Sequence, residues 1–249
     1  IHVDWDLSDN PVPYCKDVTI TTEFILQNYN GIHYEDVYFT YPGAEESKFA
    51  QPPYDEHLGT DVRLDNFDDI QRALADDFLC TQKGIISKIY IWGSWNEDPG
   101  QGPAPGRVDK LHLRIFSDDP AGDGPDNPND DPQNRYSKPL KVLWSESFEE
   151  FKASDYGFVP EEHFWDPYRD DSLSWDNRVW MYEIDIPERI AFLQKGSKRD
   201  PVVYWLAVSA EISGESKPAF GWKTTNPDNG WNDAAVMYDP KKKNWVALY

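Results

Sequence analysis

Positive charge is scarce in this sequence. Its 249 residues hold 24 Lys and Arg against 45 Asp and Glu, a formal net charge of -21. A surface so acidic repels phosphate backbones and anionic lipid, so nucleic acid and membrane surfaces are poor partners, while divalent cations and neutral or basic ligands are favoured. No apolar run approaches the roughly 20 residues that span a bilayer as a helix, so no membrane insertion is expected. Histidine is sparse and scattered, at His2, His33, His57, His112 and His163, which gives no grouped zinc or lyase signature. There is no G-x-S-x-G elbow, no phosphate loop, no dinucleotide fingerprint and no Asn-glycosylation sequon. Cysteine is limited to Cys15 and Cys80. An even count suggests one disulfide, closing a loop of about 65 residues and contributing on the order of 4 kcal/mol; the alternative is two buried thiols. The chain starts at Ile1 rather than Met, which is read as a mature, extracellular product freed of its leader.

Aromatic residues, in contrast, are abundant. Mean hydropathy is -0.74, yet there are 11 Trp, 14 Tyr and 12 Phe, enough for a large aromatic core inside a charged shell. Helical periodicity is restricted to residues 68–76 (DDIQRALAD) and 186–194 (IPERIAFLQ). Elsewhere short alternating runs are separated by Gly, Pro, Asn and Asp, the pattern of an all-β sandwich or jelly roll with long loops. Expected strands include 85–95, 111–117, 140–148, 179–186, 202–210, 220–223 and 245–249, with VVYWLAV at 202–208 apolar enough to be central. The N-terminal segment stands apart. Ile1, Val3, Trp5 and Leu7 alternate with His2, Asp4 and Asp6, so one face of a strand is apolar. Residues 1–44 therefore read as a strand extension, a possible assembly arm, and 45–249 as the sandwich domain.

A set of short motifs carries a resemblance. Gln51-Pro52-Pro53, Leu74 to Cys80 (LADDFLC) and Ile89 to Trp95 (IYIWGSW) come first. They are followed by Ile115 to Asp118 with Pro120-Ala121-Gly122, then Leu143-Trp144 and Tyr204-Trp205-Leu206. Phe220 to Thr224 (FGWKT) and Trp231 to Val236 (WNDAAV) complete the set. Together they resemble an uncharacterised secreted domain family found in exported proteins of environmental bacteria, over roughly residues 48–249. The resemblance implies a secreted β-sandwich and transfers no catalytic residue.

Three constellations could carry chemistry. Asp118, Asp119, Asp123, Asp126, Asn127, Asn129, Asp130 and Asp131 crowd a Gly- and Pro-containing loop, a candidate calcium site because calcium takes six to eight hard oxygen ligands from flexible carboxylates and amides. The spacing is not that of an EF-hand, and a solvated acidic loop is the plainer alternative. Trp165, Tyr168, Trp175, Trp222 and Trp231 are candidates for stacking on sugar rings, weighed against burial in an aromatic core. Asp76 and Asp77, adjacent on a strand, point to opposite faces and do not share a site. With so many acids, no pair can be singled out for glycosidase work. The expectation is a non-catalytic extracellular structural or adhesive protein that assembles with copies of itself through Ile1, Val3, Trp5 and Leu7. The alternative is a calcium-stabilised carbohydrate-binding module with a polysaccharide partner. A polysaccharide-active enzyme is a third, weaker reading.

Overall fold

The computed structural model describes residues 49, 51, 53, 59–66, 70–121, 136–214, 218–225 and 234–248. All of them belong to the unit Phe39–Tyr249; the other unit, Ile1–Tyr38, lies outside the described residues, and with it the arm positions Ile1, Val3, Trp5, Leu7 and Cys15.

The regular secondary structure of the described residues is strand apart from one 3-10 turn, as the alternating patterns require. One layer is a six-stranded antiparallel sheet. It contains β2 (Leu74–Cys80), β5 (Arg107–Asp119), β6 (Lys138–Phe148), β10 (Val202–Ser213), β12 (Val236–Asp239) and β13 (Asn244–Ala247), in the order β13-β12-β2-β10-β5-β6. β10 lies between β2 and β5 and its two faces enter different clusters, Leu206 and Val208 the main core and Trp205 and Ala207 a second one, which explains why VVYWLAV tolerates so few polar residues. The other layer contains β1 (Thr60–Arg63), β4 (Lys88–Trp95), β7 (Lys152–Asp166), β8 (Asp171–Asp185) and β11 (Phe220–Lys223). Its order, β1-β11-β4-β8-β7, closes on itself because β1 also pairs in parallel with β7, Asp61 opposite Phe164. A short ribbon joins β3 (Gly84–Ile85) to β9 (Leu193–Gln194).

Between the layers lies the main core. Leu74, Leu111, Leu113, Val208 and Ala210 of the open sheet meet Val62, Ile91, Trp95, Tyr182, Ile184 and Phe220 of the closed one. This is a β-sandwich in which one sheet curls into a ring. The curl is built into the β7–β8 hairpin. Its two strands are 15 residues each, long enough for one half to lie beside β4 and the other to reach β1. Register shifts between Asp155 and Gly157, Phe158 and Glu162, and His163 and Trp165 bend it. At the sharpest of them Glu161 sits at φ 54, and its N–H is held by Asn177 Oδ1 at 2.8 Å.

Two sequence readings are corrected here. The helical turn expected at 68–76 ends in strand: Leu74 and Ala75 are buried in β2 between β12 and β10, and cross-strand pairing overrides the helical spacing. The turn expected at 186–194 shrinks to a 3-10 turn, Glu188–Ile190, before β9. Residues 165–177 form the far end of the β7–β8 hairpin and its turn.

Candidate functional site

β1 and the residue pair after it place Asp61, Arg63 and Asp65 on one side and Val62 and Leu64 on the other. The apolar pair enters the core. The charged residues turn toward the inside of the ring and are equally buried. Two charged groups of opposite character result.

The first is neutral. Arg63 grips Asp65 through Nε and Nη2 at 2.8 and 3.1 Å and reaches Asp166 Oδ2 at 3.4 Å. Arg72 donates to Asp166 through Nη2 and Nε at 2.7 and 3.3 Å and to the Asp65 carbonyl at 3.0 Å. The backbone N–H of Phe220 adds a bond to Asp65 Oδ2 at 3.0 Å, and that of Tyr168 adds one to Asp166 Oδ1 at 3.1 Å. Two cations face two anions, and each carboxylate is held by several donors. A smaller group follows the same rule: Arg178 is bidentate on Asp98, with Trp180 Nε1 donating to the same carboxylate at 3.1 Å.

The second group has three acids to one base. Asp61 of β1, Glu162 of β7 and Asp176 of β8 converge, each fully buried, with one carboxylate oxygen from each lying within 4.8 Å of the others. Lys223 of β11 is the cation beside them, in an ion pair with Glu162 and 3.4 Å from Asp61 Oδ2. Asp61 Oδ1, Glu162 Oε2 and both oxygens of Asp176 accept no hydrogen bond from outside the cluster; within it the Asp61 and Asp176 carboxyls are hydrogen-bond neighbours. Burial pushes the Glu162 carboxyl up to about 7, with Asp61 adding to the shift and Lys223 opposing it. Burial, followed by the charge of Asp61, pushes Asp176 up to about 10. Burial works against the Lys223 ammonium, but Asp61 and Glu162 outweigh it and hold its pKa above the usual lysine value.

The walls around this group are tight. A side chain at Gly221 would place its Cβ 2.9 Å from the Phe164 ring and 3.1 Å from Asp61 Cβ. One at Gly59 would collide with Glu162 Oε1 and lie 2.7 Å from Lys223 Nζ, so the chain passes directly over the charges. Chemically, three carboxylates and one ammonium shielded from water can hold a cation or share protons; their burial gives a large substrate no approach.

The sequence candidates fall elsewhere. Asp118 accepts from Trp205 Nε1 at 2.8 Å, and Asp119 is 3.9 Å from Lys138, so both serve the end of β5. Asp123, Asp126, Asn127, Asn129, Asp130 and Asp131, with Trp231, lie outside the described residues. Trp165 and Trp222 are half-buried against the core. The Tyr168 hydroxyl donates to the Tyr238 carbonyl at 2.8 Å and accepts from the Ala73 N–H at 2.9 Å. Trp175 alone of the described stacking candidates is well exposed, at 48 %, and Phe158 on the same hairpin, not singled out from sequence, reaches 58 %. Cys80 is a free, buried thiol whose Sγ lies 3.3 Å from the Gln82 carbonyl.

The ring charges escaped the sequence reading because alternating charged and apolar residues normally mark a solvent face. The signal present was Asp61-Val62-Arg63-Leu64-Asp65, but only closure of the ring shows that its polar side is inside.

The sequence model of a family described as Domain of unknown function (DUF7901) matches residues 47–249, and the chain belongs to that family. No curated protein and no solved structure matches the chain.

Proposed function

From membership of a family without an assigned activity, we propose that the chain is a non-catalytic extracellular module, structural or adhesive, whose copies join by β-strand addition at β6. The observation that carries this reading is the state of that edge. Among the described residues β6 pairs with β5 alone, and Leu140, Val142 and Leu143 are 63, 48 and 41 % exposed. An open edge with unpaired backbone groups and apolar side chains is a template for another strand, and native proteins normally cover or charge such an edge. The occupant is the segment Ile1–Leu7 of a neighbouring copy. Its apolar positions Ile1, Val3, Trp5 and Leu7 suit the exposed side chains of β6, and Asp4 and Asp6 suit the exposed Lys141. Such a head-to-tail contact propagates.

Negative-stain electron microscopy tests it. Filaments or sheets are expected from the intact chain, and none from a chain lacking residues 1–13 or from a Leu140→Lys, Val142→Lys double variant, with near-UV circular dichroism unchanged. Dispersed particles from the intact chain, or assemblies that survive both changes, overturn the reading.

A second reading is favoured by Trp175 and Phe158: a carbohydrate-binding module, stabilised by calcium, with a polysaccharide partner. Exposed aromatic faces suit pyranose rings. Quenching of Trp fluorescence by a polysaccharide, lost in Trp175→Ala, supports it; a flat titration removes it.

A further inference from the structure

We infer that the ring encloses a binding site for one calcium ion, held by Asp61, Glu162 and Asp176 and distinct from the acidic loop at 118–131. The convergence of three carboxylates is not the reason by itself. Asp176 is fully buried, is aimed into the cluster, and receives no hydrogen bond from outside it, the Asp61 carboxyl being its one hydrogen-bond neighbour. Asp61 Oδ1 and Glu162 Oε2 are unsatisfied in the same space. Buried acceptors in native proteins are almost always satisfied, and four orphaned carboxylate oxygens in one place imply a ligand that supplies positive charge.

The charge sets its valence. Lys223 offsets one of the three carboxylates, so a divalent ion makes the interior neutral and a monovalent one does not. The donor set fixes its class. Every orphaned atom is a hard carboxylate oxygen, and among the described residues no His or Cys belongs to the group, which disfavours zinc. Magnesium requires near-octahedral geometry and keeps several waters, for which the tight cover of Gly59 and the Phe164–Gly221 wall leaves little allowance. Calcium accepts bidentate carboxylates in irregular geometry, and Asp176 offers both of its oxygens. Lys223 then neutralises from the side, through Glu162 and Asp61.

The rival account is that the carboxyls are protonated instead. Asp176→Asn separates the two, because an amide copies a protonated carboxyl but is a poorer calcium ligand. The intact chain is stripped with chelator at pH 7.5, bound calcium is then counted by equilibrium dialysis, and melting temperature is followed with and without calcium. The expected result is one bound calcium per chain fewer in Asp176→Asn than in the parent, with the calcium-induced rise in melting temperature reduced in step. Any binding by the acidic loop is common to both proteins and cancels in the difference. Should Asp176→Asn fail to fold, Glu162→Gln is read in its place. No calcium bound by the parent overturns the site. So does equal binding by parent and folded variant, or a variant at least as stable as the calcium-loaded parent.

Discussion

Within one ring, on one strand and its continuation, Asp61 and the pair Arg63 and Asp65 meet opposite fates. Arg63 and Asp65, with Arg72 and Asp166, form a closed account of two positive and two negative charges with backbone donors on the remaining lone pairs. Asp61 joins Glu162, Asp176 and Lys223 in a group with three acids to one base and orphaned oxygens. Both are desolvated to the same degree. Burial of charge therefore says little about purpose, and completeness of partnering says more. A balanced group fixes structure, whereas an unbalanced one asks for something else.

The sharpest way to break the comparison is to unbalance the balanced group. Arg72→Met leaves Asp166 with Arg63 as its buried guanidinium partner and should cost about 3–5 kcal/mol, read by urea denaturation. A loss under 1 kcal/mol would mean water reaches the ring. Next is the wall between the groups. Gly221→Ala forces a methyl against Phe164 and Asp61, and overpacking of this kind costs about 1–3 kcal/mol. An unchanged denaturation midpoint would show the ring to be looser than its geometry.

A third test uses an acid outside the ring. Burial first and the neighbouring Asp77 second raise Asp76 from 3.8 to about 7. The folded state then holds a proton that the unfolded chain releases at lower pH. Its contribution to stability is full below about 4 and is lost as pH rises through about 7. Asp76→Asn should flatten that part of the stability profile; an identical slope in the variant would assign it to other groups. The effect is moderate because Asp76 retains some exposure. Smallest is an exposed pair. Lys88 bridges Glu183 and Asp185 at the surface, and Lys88→Met should change stability by at most about 1 kcal/mol and less in high salt. A larger loss would blur the distinction between buried and exposed charge.

Much of the fold was legible. β4, β10 and β11 follow from runs of β-branched and aromatic residues, and the family resemblance over 48–249 matches the assigned span of 47–249. β7 was missed because Gly157, Pro160 and the left-handed Glu161 interrupt its alternation, the same interruptions that bend it around the ring. The ring charges were missed for a different reason. Asp61, Glu162, Asp176 and Lys223 are spread over four strands, and nothing local distinguishes them from surface acids and a surface lysine. Trp175 was legible as an exposed aromatic, while Trp165 and Trp222 share its composition and differ only in which side of their strand faces the core.

The parallel contact of β1 with β7 also bears on the order of events in folding. The β7–β8 and β5–β6 hairpins join near neighbours, but β1 meets β7 across roughly a hundred intervening residues, a closure of high contact order that forms slowly. Until it forms, Asp61 is in water and the acids of β7 and β8 have an open side. Dehydration of the charges thus accompanies closure of the ring. Whatever occupies the ring stabilises the native state and slows its opening.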